Sequence, residues 1–179
     1  MIIAVVAALV FALDRASKAL VQARMSGGES IPLIPGLLRI TYTRNAGAAF
    51  GLLQHQTLFF IALTLVVVFL IVTYGGRAAR SQPALAVALG LQLGGALGNL
   101  VDRLRVGTVV DFIDFYRVWP FIFNVADASI VVGGLLFAWI LIRQGDARTD
   151  LPHGDAEGSS SPGASGAPAP GTGKPADRP

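Results

Sequence analysis

The chain has 179 residues, 53% of them hydrophobic and only 14% charged, with a net charge of +3. Soluble domains carry about a quarter charged residues, so this balance describes one integral membrane domain, and scattered basic residues argue against a nucleic-acid partner. There is no cysteine, and His55 and His153 lie too far apart to form a cluster, so neither a metal nor any other cofactor is expected.

Met1–Val21 is an apolar run of bilayer-spanning length, interrupted by Asp14, Arg15 and Lys18. No basic stretch precedes Ile2, and the charges fall where a cleavable signal would stay apolar, so a retained first helix is expected. Asp14 and Lys18 share a helix face and can pair, either as a charge pair closing the helix near the interface or with a direct role. After the polar turn Ser26–Ser30, Pro32, Pro35 and Gly36 break any helix. Leu38, Ile40 and Tyr42 then alternate with Arg39, Thr41 and Thr43, the pattern of a half-buried strand. Strand edges cannot face lipid, so this segment belongs to a small sheet outside the hydrocarbon.

Asn45–Gly51 is a small-residue loop, and Leu58–Tyr74 a second span free of charge. Gly75–Pro83 is a basic turn, and Ala84–Val101 a third span. Its Gly90, Gly94 and Gly98 recur every four residues, which reads as close helix packing. Asn99, Asp102 and Arg103 follow at its end and can lie on one face. Leu104–Pro120 mixes acids, arginines and aromatics, as at a membrane–water boundary. Phe121–Ile142 is the fourth span, with Asn124 and Asp127 in its first turns. From Arg143 the composition turns to Gly, Pro, Ser, Ala and Asp, which is that of a disordered tail. The arginines at 77, 80, 143 and 148 favour the cytoplasmic side, but Arg24, Arg39, Arg44, Arg103, Arg105 and Arg117 fall opposite, so charge alone leaves orientation open.

Asp111 and Asp127 sit in strongly apolar sequence, where a lone acid costs about 2.5–3.5 kcal/mol at the centre of a span and usually marks function. If both lie at one depth about 4 Å apart, they repel by about 4 kcal/mol at an effective dielectric near 20, or about three pK units. One then holds a proton while the other is ionised, the arrangement for aspartyl peptide hydrolysis without a metal. The bland reading of Asp127 alone is a helix N-cap. Two other classes are a small proton-coupled transporter, which needs acids lining a path across the bilayer, and a non-catalytic scaffold. The middle of the second span and inner half of the fourth carry no acid, which speaks against the transporter.

Five segments, Asp14–Lys18, Asn45–Gly51, Gly95–Arg103, Val109–Phe112 and Phe123–Asp127, resemble in order and spacing the lipoprotein signal peptidase (signal peptidase II) family. The resemblance runs from Asp14 to Ile142; Arg15 stands where the family commonly has Gln, and the tail lies outside it. It implies an aspartic endopeptidase that cuts diacylglyceryl-modified prolipoproteins on the amino side of the lipidated cysteine. By the same mapping Asp111 and Asp127 are the catalytic pair. Asp14, Lys18, Asn45, Gly47, Asn99, Asp102, Arg103, Asn124 and Ala126 line or support the substrate site. The implied fold is an all-α membrane core of four transmembrane helices with a small extracytoplasmic β-sheet cradle and a short interfacial helix serving as a lid. The membrane domain is then 1–143, with spans at about 2–21, 57–74, 84–101 and 123–142, cradle at about 31–44 and lid at about 104–115. Residues 144–179 form a disordered cytoplasmic tail. The family also implies the bacterial inner membrane, both termini cytoplasmic, the pair near the outer face, and Asp114 at the surface along the lid. Membrane lipid and the lipidated substrate are the expected partners, and a monomer suffices because one chain holds both acids. The short run ahead of Asp14 implies an upstream start or a tilted first helix.

Overall fold

The computed structural model describes residues 1–47, 56–80 and 82–149, with side chains as far as 144. Part of the Asn45–Gly51 motif and nearly all of the expected tail lie outside these residues. In chain order the elements are α1 (Ile2–Arg24), β1 (Ser30–Ile34), β2 (Leu38–Asn45) and α2 (Thr57–Leu70). A single π turn, Ile71–Gly75, and a short end, Gly76–Ala78, prolong α2. There follow α3 (Pro83–Val106), β3 (Val109–Asp114), β4 (Ile122–Phe123) and α4 (Val125–Thr149), which carries the last helix past the expected boundary at 142.

Glycine sets the spacing of the helices. A Cβ on Gly90 would lie 2.7 Å from Val6 Cβ, on Gly94 2.6 Å from the Ala7 carbonyl oxygen, and on Gly98 2.5 Å from Asp14 Oδ2. The stripe therefore seats α1 directly on α3, the packing role its spacing predicts. Gly133 does the same for α4, where a Cβ would be 2.8 Å from the Ala88 carbonyl oxygen of α3. Helices α1, α3 and α4 thus form one tight unit, while Thr57–Leu70 contains no buried residue.

Three helical stretches, Thr57–Ala78, Pro83–Val106 and Val125–Gln144, are long and apolar enough to cross a membrane. With 23 residues α1 is about 34 Å long, enough to span, but it carries Asp14, Arg15, Lys18 and Arg24. Asp14 and Lys18 are fully buried against the neighbouring helices, so these two charges never meet lipid.

The sheet is antiparallel in the order β1-β2-β3-β4, so the expected cradle exists and is wider than the hairpin alone. The lid helix expected over 104–115 is corrected. Helix α3 ends at Val106 because Gly107 takes a left-handed conformation (φ 74°), and the β-branched Val109, Val110 and Ile113 that follow pair with β2. A register shift between Ile40 and Thr43 bulges β2 by one residue, which is why Thr41 and Tyr42 are both buried despite alternation.

The surface position expected for Asp114 is also corrected: its carboxylate is buried and accepts from Arg39 Nε (2.6 Å) and Thr41 Oγ1 (2.8 Å). Strand pairing puts Arg39 opposite Asp114, so the acid ties β3 to β2 within the sheet rather than facing water. Asp114→Ala should lower stability by about 1–3 kcal/mol while leaving turnover within about tenfold, as thermal melts and peptide cleavage will measure.

Candidate active site

Asp111 and Asp127 come together because two connections are short. The turn at Gly107 brings β3 back over the end of α3, and two residues of β4 lead into Asn124 at the start of α4. Register pairs Thr43 with Asp111 and Asn45 with Val109, so Asn45 reaches the acid from β2. Asn45 Nδ2 donates to Asp111 Oδ2 (3.0 Å) and Asn124 Nδ2 to Asp111 Oδ1 (2.6 Å). Asn99 Nδ2 donates to Asp127 Oδ1 (2.7 Å).

The N-terminus of α4 is capped by Asn124, not by Asp127. The Asp127 amide donates to Asn124 Oδ1 (2.9 Å) and the Asn124 amide to Asp127 Oδ2 (3.4 Å), the reciprocal exchange of a capping box. Asp127 is therefore third in the helix, with Oδ1 turned to Asn99. Asn124, fully buried, bridges the two acids, touching one through its side chain and the other through its backbone.

Each asparagine has its carboxamide oxygen held by a donor, which turns its NH2 toward an acid. Gly47 N holds Asn45 Oδ1 (2.9 Å), Asp127 N holds Asn124 Oδ1 (2.9 Å), and Lys18 Nζ holds Asn99 Oδ1 (3.0 Å). Asn124 Nδ2 also reaches Asn99 Oδ1 (3.2 Å).

Behind the pair lies a buried ionic cluster. Lys18 Nζ is 2.9 Å from Asp14 Oδ2, an ion pair whose angle falls short of a hydrogen bond, and 2.9 Å from Asp102 Oδ2. Arg15 Nη1 bonds to Asp102 Oδ1 and to the Gly98 carbonyl oxygen. Asp14 Oδ1 accepts from the Ala126 amide (3.1 Å) and Asp102 Oδ2 from the Val110 amide (3.3 Å). Arg15 is the member that sequence reading passed over as a mere departure from Gln; the signal was the second acid, Asp102, which one lysine cannot neutralise together with Asp14. Arg103 has its guanidinium 5.0 Å above the Phe60 ring of α2 and lies within the field of Asp127, Asp111 and Asp102.

Burial pushes the Asp111 carboxyl up to about 7, and the charge of Asp127 adds to the rise; the bonds from Asn45 and Asn124 act against it. A carboxyl that keeps its proton near neutrality beside a second carboxyl is a pair able to give and take protons at one point. Among the described residues no group of His, Cys, Asp and Glu is spaced to hold a metal ion.

Helices long and apolar enough to cross a membrane, capped by a small sheet, meet it where Asp111 and Asp127 come together, an architecture of the membrane-protein class. A family model described as signal peptidase (SPase) II matches residues 6–143. The chain is 46% identical over 146 residues to the lipoprotein signal peptidase of Pelotomaculum thermopropionicum, covering 82% of this chain and 95% of that protein. It is 49% identical over 128 residues to the lipoprotein signal peptidase of Brevibacillus brevis, covering 72% and 86%. A bacterial membrane enzyme solved by the in meso method at 2.3 Å superposes with a TM-score of 0.77 at 34% identity, covering 82% of this chain and 91% of that one. The chain belongs to the signal peptidase II family.

Proposed function

We propose that this chain is an aspartic endopeptidase in which Asp111 and Asp127 hydrolyse one peptide bond of a membrane-held substrate. Its family and its lipoprotein signal peptidase relatives assign it the removal of signal peptides from prolipoproteins; the transporter and scaffold readings are not favoured. The observation that carries the aspartic reading is the pair itself, two acids bridged by Asn124 and each served by an oriented carboxamide.

The chemistry closes with one proton shared by the pair. The ionised carboxylate takes a proton from water as the water oxygen attacks the scissile carbonyl carbon, and the protonated member gives its proton to the carbonyl oxygen. The tetrahedral diol then collapses, the first acid returning its proton to the leaving nitrogen as the C–N bond breaks, and the second recovering one from a diol hydroxyl. On the amino side of a diacylglyceryl cysteine, that nitrogen becomes the new N-terminus of the lipoprotein. Acyl chains that stay in the bilayer deliver the bond at a fixed depth, which lowers the orientational cost of encounter.

In this reading α1 is the first of four spans, both termini face the cytoplasm of a bacterial inner membrane, and the sheet with its acid pair lies at the outer face. Residues beyond the family match form a cytoplasmic extension, and a monomer carries the complete pair. Asp114 and the β3 strand serve as part of the cradle, not as a lid. Arg103, held over Phe60 and facing both acids, is positioned to meet the substrate carbonyl side of the site.

Incubating the purified protein with a diacylated prolipoprotein peptide tests this reading: one cut before the lipidated cysteine is expected, and an uncut peptide refutes it. The pH dependence adds a check. Because the Asp111 carboxyl lies at about 7, activity should fall as pH rises through that value and the pair loses its shared proton. A rate still climbing at pH 9 would contradict that assignment.

A further inference from the structure

The buried cluster of Asp14, Arg15, Lys18 and Asp102 takes no part in the proton transfers above, yet it touches the backbone just before each acid. Asp14 receives the Ala126 amide, one residue ahead of Asp127, and Asp102 receives the Val110 amide, one residue ahead of Asp111. Two acids and two cations make the cluster neutral. Its hub is Lys18, fully buried, whose ammonium lies 2.9 Å from both Asp14 Oδ2 and Asp102 Oδ2 and donates to Asn99 Oδ1.

Of the three carboxamides around the pair, Asn45 and Asn124 have their oxygens held by backbone amides, which few substitutions can remove. Asn99 Oδ1 accepts more distantly from Asn124 Nδ2 (3.2 Å) and most closely from Lys18 Nζ (3.0 Å), so it alone is held chiefly by an ionisable side chain. A carboxamide can rotate by half a turn and exchange its donor for its acceptor. With an ammonium at Oδ1 the exchange is blocked, because Nδ2 would then face the cation, so Asn99 must offer N–H to Asp127. An N–H at that oxygen favours a carboxylate over a carboxylic acid.

We infer that Lys18 is a positioning residue for the acid pair: by holding the Asn99 carboxamide it keeps an N–H donor on Asp127 and so favours the ionised form of that acid. The inference rests on the aspartic reading above. The groups facing Lys18 are Asp14 and Arg15 on its own helix, Asp102 and Asn99 on α3, with Asp127 and Asp111 acting on it from α4 and β3.

The test compares pH–rate profiles for cleavage of the diacylated peptide by the full chain. Lys18→Met alone strands Asp14, because Asp102 keeps Arg15, so it is made together with Asp14→Asn, which keeps the cluster neutral through Arg15 and Asp102. Lys18→Arg accompanies it. For the Met/Asn double variant, kcat should fall at least about tenfold with KM within about threefold, and the acid limb should move up by about one pH unit. Lys18→Arg, which keeps a donor at Asn99, should retain the parental acid limb. Loss of kcat with an unmoved acid limb in a folded Lys18 variant means support of the fold only and overturns the inference. A set in which no Lys18 variant folds overturns it equally, since the cluster is then a folding element. Failure of the aspartic reading is seen separately, as turnover by Asp111→Asn or Asp127→Asn.

Discussion

Asp111→Asn and Asp127→Asn are each expected to abolish cleavage, by about a thousandfold or more, while the protein remains inserted and folded. Removing either carboxyl removes both a proton donor and a proton acceptor from a two-step transfer, and such losses are of that order. Neither variant breaks the frame. Asparagine keeps one oxygen for an incoming amide, so Asp127→Asn retains an acceptor for Asn99, and the Asn124 cap is held independently through its own Oδ1. Retained turnover of the diacylated peptide by either variant would remove the pair from the mechanism.

Asp111→Asn has a second signature that does not depend on substrate. The Asp111 carboxyl is raised to about 7 from an ordinary 3.8, chiefly by burial. A raised carboxyl contributes stability fully present below its ordinary value and lost as pH rises through the folded one, because the native state binds the proton more tightly. The amide variant has no such loss. Its stability relative to the parent, read from thermal melts, should therefore rise between about pH 4 and 7 and level off above, by up to about 4 kcal/mol across that range, on top of a pH-independent loss from one weakened bond to Asn45 or Asn124. Parallel melts whose difference does not change with pH would show that Asp111 is not buried as described.

Much of this site is visible in the residues before any coordinates, for a physical reason. Charged and carboxamide side chains are costly in apolar sequence, so Asp14, Lys18, Asn99, Asp102, Asn124 and Asp127 stand out individually. What composition cannot supply is the direction of each contact. Val109–Asp114 reads as a boundary segment, and only the left-handed turn at Gly107 and the partner strand β2 make it a strand. Asp114 resembles Asp111 in its flanking residues, and pairing with Arg39, not sequence, separates the two. Arg15 looks like a tolerated variant until Asp102 is seen to need a second cation. Each miss concerns a partner more than 60 positions away in the chain, which periodicity does not encode.

Gly98→Ala should cost both stability and activity, although the residue reads in the sequence only as the last small position of a packing stripe. A Cβ there would lie 2.5 Å from Asp14 Oδ2, 2.9 Å from Asp14 Cγ and 3.4 Å from Ala126 Cβ. Asp14 cannot swing aside cheaply: one oxygen holds the Ala126 amide and the other faces Lys18. The Gly98 carbonyl also accepts from Arg15, so moving α3 away from α1 loosens the cluster from both sides. Overpacking of this kind costs about 1–3 kcal/mol, and displacement of a buried ion pair adds to it. The melting temperature should drop accordingly and kcat fall at least about tenfold, because the displaced groups are those that set Ala126 and Asn99 beside Asp127. Gly134→Ala, on α4, is the control: a Cβ there meets nothing within 4 Å, and alanine favours a helix by up to about 1 kcal/mol. If both variants melt and cleave alike, close approach at Gly98 is not what holds the acids in place; a loss confined to Gly98 ties the packing of α1 on α3 directly to the chemistry.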